Sequence, residues 1–165
     1  MSKAFTDEES ADSSVLGRSV QRAARGQERP MTPEGHRALE TELKRLTEVE
    51  RPALKASTAL EAEARLKELD HRAALIAATL ESVRVVPPSP GTGRVRFGSI
   101  VHLTWSNGRD QRLRLVGPDE ADVKQGHISI ESPLARGLIE REAGDEVEVE
   151  RPRGIETATL VSVED

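Results

Sequence analysis

GHISIESPLARGLIEREAGDEVEVE, residues 126–150, reads as a strand, a short helix and a second strand. Ile128 and Ile130 alternate with Ser129 and Glu131, the two-residue period of a strand with one buried face. Ser132 then stands as a helix cap, and Pro133 takes the first helical position, where its missing N–H costs nothing. Leu134, Leu138 and Ile139 give that helix a short apolar stripe. Gly144-Asp145 turns the chain, and Val147 and Val149 alternate with glutamates in the second strand. Such a unit predicts an α+β domain, with one short helix against an antiparallel sheet.

Working upstream, Val95, Phe97, Ile100, Val101 and Leu103 read as strand residues, and Ser106-Asn107-Gly108 as a hairpin turn. Leu113, Leu115 and Val116 return in the partner strand. Downstream, Arg151-Pro152-Arg153-Gly154 is a turn before a last strand carrying Ile155 and residues 157–163. The domain so defined spans 94–165. It is set off by Pro87-Pro88-Ser89-Pro90-Gly91-Thr92-Gly93, where prolines forbid helix and glycines permit turns.

Residues 31–86 carry a helical pattern. Thr32 is the expected N-cap and Pro33 the first helical residue, and Glu34 adds a favourable charge to the first turn. Leu39, Leu43 and Leu46 follow at four-three spacing, and Pro52 is expected to kink or loosen the helix. Ala62, Leu66, Leu69, Ala73, Ile76, Leu80 and Val83 continue the rhythm, as in a coiled-coil seam. Two stripes in one short segment predict an antiparallel hairpin, each stripe burying the other. Thr58-Ala59-Leu60-Glu61 fits a capping box, which puts the tip at residues 55–58. A single long helix would leave both stripes exposed unless the chain dimerised; a monomer is expected.

Residues 1–30 read as a disordered leader. Asp7, Glu8, Glu9 and Asp12 cluster, and Arg18, Arg22, Arg25 and Arg29 recur at helical spacing, a solvated run to which no site is assigned. The chain has 165 residues, 32% of them charged, a net charge of −5 and no cysteine. Disulfides and thiolate metal sites are therefore excluded, and a reducing cytoplasm is the simplest compartment. Acidic residues near the N-terminus replace the basic end of a secretory signal, and no apolar run approaches the roughly 18 residues a membrane span needs. The acidic balance disfavours non-specific binding to duplex DNA and points to a protein partner.

The wording around residues 115–150 resembles the C-terminal domain of the GreA/GreB transcript-cleavage factors of bacterial RNA polymerase. It carries Val116-Gly117-Pro118-Asp119-Glu120-Ala121-Asp122, then Gly126-His-Ile-Ser-Ile-Glu-Ser-Pro-Leu-Ala-Arg136, then Gly144-Asp-Glu-Val-Glu-Val149. The likeness continues in Arg94-Val-Arg-Phe-Gly98 and Met31-Thr-Pro-Glu-Gly35, and the opening Met1-Ser2-Lys3 is similar to some GreB-type chains. It implies an FKBP-like C-terminal domain behind the helical hairpin. It also implies docking at the rim of the polymerase secondary channel, through Ile130, Ser132, Pro133, Leu134, Ala135 and Arg136. Nucleic acid is then met only through the elongation complex.

In that family the hairpin tip carries carboxylates that help hold a second Mg²⁺ at the polymerase's own active site. This chain departs from the pattern. Between Arg51-Pro52 and Leu66-Lys67-Glu68-Leu69-Asp70 the acidic tip motif is absent, and about fourteen residues are missing by comparison with GreB-type chains. Divided over two helices, the deficit shortens the reach by roughly 10 Å. The tip residues are then Lys55, Ser57, Thr58, Glu61 and Glu63. Glu61 and Glu63 are two apart on a helix and diverge, so they are not expected to share an ion.

The expectation is a non-enzymatic, polymerase-binding regulator without metal, cofactor or cleavage-stimulating activity. Its alternatives are a genuine transcript-cleavage factor and a short-hairpin relative of the nucleoside diphosphate kinase regulator type. The four histidines, His36, His71, His102 and His127, lack ligand spacing. Ser132 has no base at a recognisable spacing and is better read as a cap. Prolyl-isomerase activity is not expected, because Phe5, Phe97 and Trp105 are the only aromatic residues available for a pocket wall.

Overall fold

The computed structural model describes residues 29–165. These divide into two compact units, a helical one (Arg29 with Glu34–Arg84) and a sheet one (Pro30–Pro33 with Val85–Asp165). Most of the expected leader, including Arg18, Arg22 and Arg25, lies outside the described residues. Its last two residues do not fit that expectation: Arg29 and Pro30 belong to strand β1 (Arg29–Met31), and Arg29 is buried.

Helix α1 (Pro33–Lys44) starts at Pro33, and its first-turn Glu34 is where the helical unit resumes. A π-helical turn follows at Arg45–Glu50, then α2 (Arg51–Ala56). Pro52 accounts for the widened turn. It has no N–H for the carbonyl four residues back and its ring crowds that carbonyl, so the helix bends its ladder instead of breaking. The Arg51 N–H accordingly donates to the Leu46 carbonyl, five residues back.

After the loop 57–61 the chain returns as α3 (Ala62–Ser82). Leu46, Leu69, Ala73 and Ile76 form the buried cluster, and Leu39, Leu43, Leu54, Leu75 and Leu80 pack around it. Two ion pairs join the helices: Arg51 Nε with Asp70 Oδ1 at 2.7 Å, and Arg72 Nη2 with Glu42 Oε1 at 2.6 Å.

Helix was expected as far as Val86, but α3 ends at Ser82 and Val83–Val85 form β2, which pairs with β1. Val83, Val85 and Val86 are β-branched, and Pro87 drives the residue before it out of helical space.

In the sheet unit five strands lie in the order β5-β4-β3-β7-β6. They are β3 (Ile100–Trp105), β4 (Asp110–Val116), β5 (His127–Ser129), β6 (Glu146–Arg151) and β7 (Gly154–Glu164). The turn at 106–108 works as expected, with Gly108 at φ 80°. Strand β3 begins later than the apolar pattern implied: Val95 is buried and Phe97 half-buried, but both precede the bend at Gly98 (φ 87°) and lie outside the strand.

The sheet is not wholly antiparallel, because β5 runs parallel to β4, with Arg114 opposite His127 and Val116 opposite Ser129. A parallel neighbour normally needs a long crossover. Here the chain steps back by only a few residues, and the ten-residue connection 117–126 covers that distance.

One face of the sheet carries the core. Val95, Val101, Leu103, Trp105, Leu113, Leu115, Ala158 and Leu160 are buried there, with Val147 and Val149 from β6 and Ala135 and Leu138 from α4 (Pro133–Leu138). Trp105 closes one end of this core. Its Nε1–H donates to Gln111 Oε1 at 2.9 Å, and the Arg109 and Arg151 guanidinium carbons stand 5.4 and 4.7 Å from its ring centre.

Candidate functional site

Two places emerge, one on each unit. On the sheet unit, Ser132 is extended (φ −66°, ψ 150°) and its Oγ accepts from the Ala135 N–H at 3.2 Å, so the expected cap is present. Pro133 opens α4, which is held down on β6. A Cβ on Gly137 would stand 2.8 Å from Val147 Cγ1, so this position admits only glycine without a shift. Gly137 received no role from its spacing, since a close approach between elements leaves no local signal.

Of the six residues grouped by resemblance, Ala135 is fully buried and is a core residue, out of a partner's reach. Ile130 and Leu134 are partly buried against the same core. Pro133 and Arg136 are exposed, and Ser132 lies between these extremes. Arg136 has no ion pair with any described residue, so its guanidinium is free to meet a carboxylate. The outward set is therefore Ser132, Pro133 and Arg136.

The Gly117–Asp122 motif has a structural role. Glu120 Oε2 accepts from the N–H groups of Gly117 (3.1 Å) and Thr32 (2.9 Å), and Glu120 Oε1 accepts from the Thr32 hydroxyl. Gly117 approaches so closely that a Cβ would stand 1.9 Å from the Pro30 carbonyl oxygen. Asp122 Oδ1 accepts from the Lys124 N–H at 2.9 Å, starting the short helical turn that leads to β5.

On the helical unit, the loop between α2 and α3 departs from the capping box. Helix α3 begins at Ala62, and Glu61, its flanking residue, makes no side-chain cap. The local bond comes instead from Ser57, whose Oγ accepts from the Ala59 N–H at 3.2 Å. A start near Ala59 would leave Ser57 and Thr58 alone to reverse the chain. The five-residue loop that packing of the leucines allows outweighs a cap worth about 1 kcal/mol.

Thr58 is thus an exposed loop residue, whereas Lys55, also exposed, lies in the last turn of α2 and not in the loop. Glu61 pairs with Arg65 at 3.1 Å and Glu63 with Lys67 at 3.2 Å, each one helical turn along. With the box gone, Leu60 stands in the loop fully exposed (102%).

Elsewhere, a depression of about 450 Å³ in the helical unit is floored by Leu46, Leu54, Leu69 and Leu75. Its rim cations Arg65 and Arg72 are already engaged by Glu61 and Glu42. Among the described residues no group of three His, Asp or Glu side chains is placed to hold a metal. His102 Nε2 lies 2.8 Å from Glu164 Oε1 and holds that carboxyl below its ordinary range, with Arg112 adding to the effect. No described helix is long and apolar enough to cross a membrane.

Residues 90–165 match the family described as "Transcription elongation factor, GreA/GreB, C-term". The transcription elongation factor GreA of Psychrobacter cryohalolentis is 41% identical over 154 positions, taking in 81% of this chain and 96% of the relative. GreB of Xanthomonas axonopodis pv. citri is 39% identical over 150 positions, with 81% and 89% covered. A crystal structure of the GreA factor homolog 1 (Gfh1) protein of Thermus thermophilus aligns over 84% of this chain and all of that one, at 22% identity and TM-score 0.40. The chain belongs to the GreA/GreB family of transcription elongation factors.

Proposed function

We propose that this chain binds bacterial RNA polymerase as a regulator of transcription elongation and does not itself stimulate transcript cleavage. Its sheet unit, taken as an FKBP-like domain over 94–165, docks at the rim of the secondary channel through Ser132, Pro133 and Arg136, with Ile130, Leu134 and Ala135 shaping that surface from beneath. Its helical unit, taken as a hairpin over 31–86 and joined by the linker 87–93, points into the channel. The protein acts as a monomer in the cytoplasm, without a cofactor and without enzymatic chemistry of its own.

The observation that carries this reading is the loop 57–61 and its flanks. Both acids there, Glu61 and Glu63, are engaged one turn along their own helix by Arg65 and Lys67. Hard-cation chemistry needs carboxylate oxygens converging on one point within a few tenths of an ångström. Two residues apart on a helix, these acids point to different azimuths. The alignment lengths support a deletion in this chain. The match to the Psychrobacter factor runs over 154 positions but takes in 81% of 165 residues, so about twenty positions of the relative have no counterpart here.

RNA length in a backtracked complex of the cognate polymerase tests the reading, with and without a full-length Gre factor. The expected result is no shortening by this protein alone and inhibition of the full-length factor. Shortening by the chain alone, abolished by Glu61→Ala, would return it to the cleavage factors. Neither effect, together with capture of a nucleoside diphosphate kinase in place of polymerase, would move it to the kinase-regulator type.

A further inference from the structure

We propose that the loop 57–61 makes an apolar contact, with Leu60 as the side chain that enters an apolar depression on the polymerase. This rests on the reading above and specifies what the tip does in place of holding metal. Three observations converge on it. Among the described residues Leu60 is 102% exposed, more than Val49, Val123, Ile155 or Val161, the other large apolar residues over half exposed, and it alone of these sits on the loop joining two packed helices. The two residues before it on the loop, Thr58 and Ala59, are small and uncharged. The nearest acids, Glu61 and Glu63, are each paired one helical turn along, with Arg65 and Lys67.

A tip whose acids are already paired has little to offer a cation. The loop is also shaped in advance. The Ala59 N–H is tied to Ser57 Oγ, and the Ala59 carbonyl accepts from the Ala62 N–H at 3.0 Å, which holds the two residues before Leu60 and the helix after it. A side chain presented on a constrained turn gives up little freedom on binding.

The test is affinity for cognate core polymerase, read by competition against a labelled full-length Gre factor, for the parent chain and four variants. Because Leu60 touches nothing in its own fold, Leu60→Ser and Leu60→Asp should melt with the parent. Burying one leucine predicts a loss of affinity of about ten- to a hundredfold for Leu60→Ser, and more for Leu60→Asp. Leu60→Met should stay within about threefold, and the double change Glu61→Gln with Glu63→Gln should leave affinity nearly unchanged.

Parent-level binding by Leu60→Ser overturns the inference while leaving the docking reading intact. So does a larger loss from the double glutamine change than from Leu60→Ser, since the contact would then be ionic. Absence of binding by the parent chain overturns the docking reading and this inference with it. The chain has no cysteine, so a Leu60→Cys variant carrying an apolar photo-crosslinker gives an independent readout. Its adduct should map to apolar residues of the polymerase, and an adduct on the nucleic acid alone would refute the contact.

Discussion

In the sheet unit twelve residues share one buried cluster, whereas the buried cluster of the helical unit has four. The sheet unit draws its cluster from strands distant in sequence and from α4, so each core side chain is constrained by several elements at once. The helical unit relies on one seam of leucines and alanine, closed at its edges by Arg51 with Asp70 and Arg72 with Glu42. A unit held along one seam can lose turns from its far end with little effect on what remains. A sheet cannot lose a central strand.

The strongest way to break this comparison is truncation in both clusters. Leu103 is 1% exposed in the centre of the sheet, and Leu103→Ala should cost about 2–5 kcal/mol. Trp105, the single tryptophan, reports on this unit alone, so its fluorescence during urea unfolding measures the loss. Leu69→Ala, in the helical cluster, should lower the helical circular-dichroism transition and leave the tryptophan transition within error. Equal shifts of both probes in both variants would mean that the two units unfold as one, and the contrast would fail.

The next effect concerns the tie between Pro30–Pro33 and the Gly117–Asp122 turn. Gly117→Ala places a methyl where the Pro30 carbonyl oxygen stands, 1.9 Å away, so backbone must move. A cost of about 1–3 kcal/mol is expected, as for overpacking, read by the same tryptophan transition. Glu120→Gln, which keeps the shape but weakens the bonds to Thr32 and Gly117, should cost less. The reverse order would make the carboxylate, and not the close approach, the dominant link.

What was legible in the sequence followed the same divide. Ile128 and Val147 alternate with polar neighbours because one face of the sheet is buried, and Ser132-Pro133 reads as a cap because both residues act within one turn. These signals are local and survive without the rest of the fold. The parallel pairing of β5 had no such signal, since alternation is the same for either strand direction. The close approaches at Gly117 and Gly137 were invisible for a related reason, as each depends on a residue far along the chain. At the loop 57–61 a local signal was present and lost: Thr58 to Glu61 fits a capping box, but the seam from Leu46 to Ile76 sets where α3 starts. Leu60 became a site candidate only when that competition had been decided.

The smallest effect sharpens the contrast from the helical side. Arg51 holds the Asp70 carboxyl below its ordinary value of 3.8, through a hydrogen bond first and charge attraction second. A carboxylate with a depressed folded-state pKa adds stability that is whole above the unfolded value. That stability drains away as pH falls through the lower, folded one. Both partners face solvent, so the pair belongs with surface ion pairs and its effect should be modest and weakened by salt. Asp70→Asn should therefore lower the helical transition slightly at pH 7, and the gap to the parent should close as pH falls below the ordinary carboxylate range. The tryptophan transition should not follow it. A gap that persists in acid, or one insensitive to salt, would mean that Asp70 contributes through the shape of its packing and not through its charge.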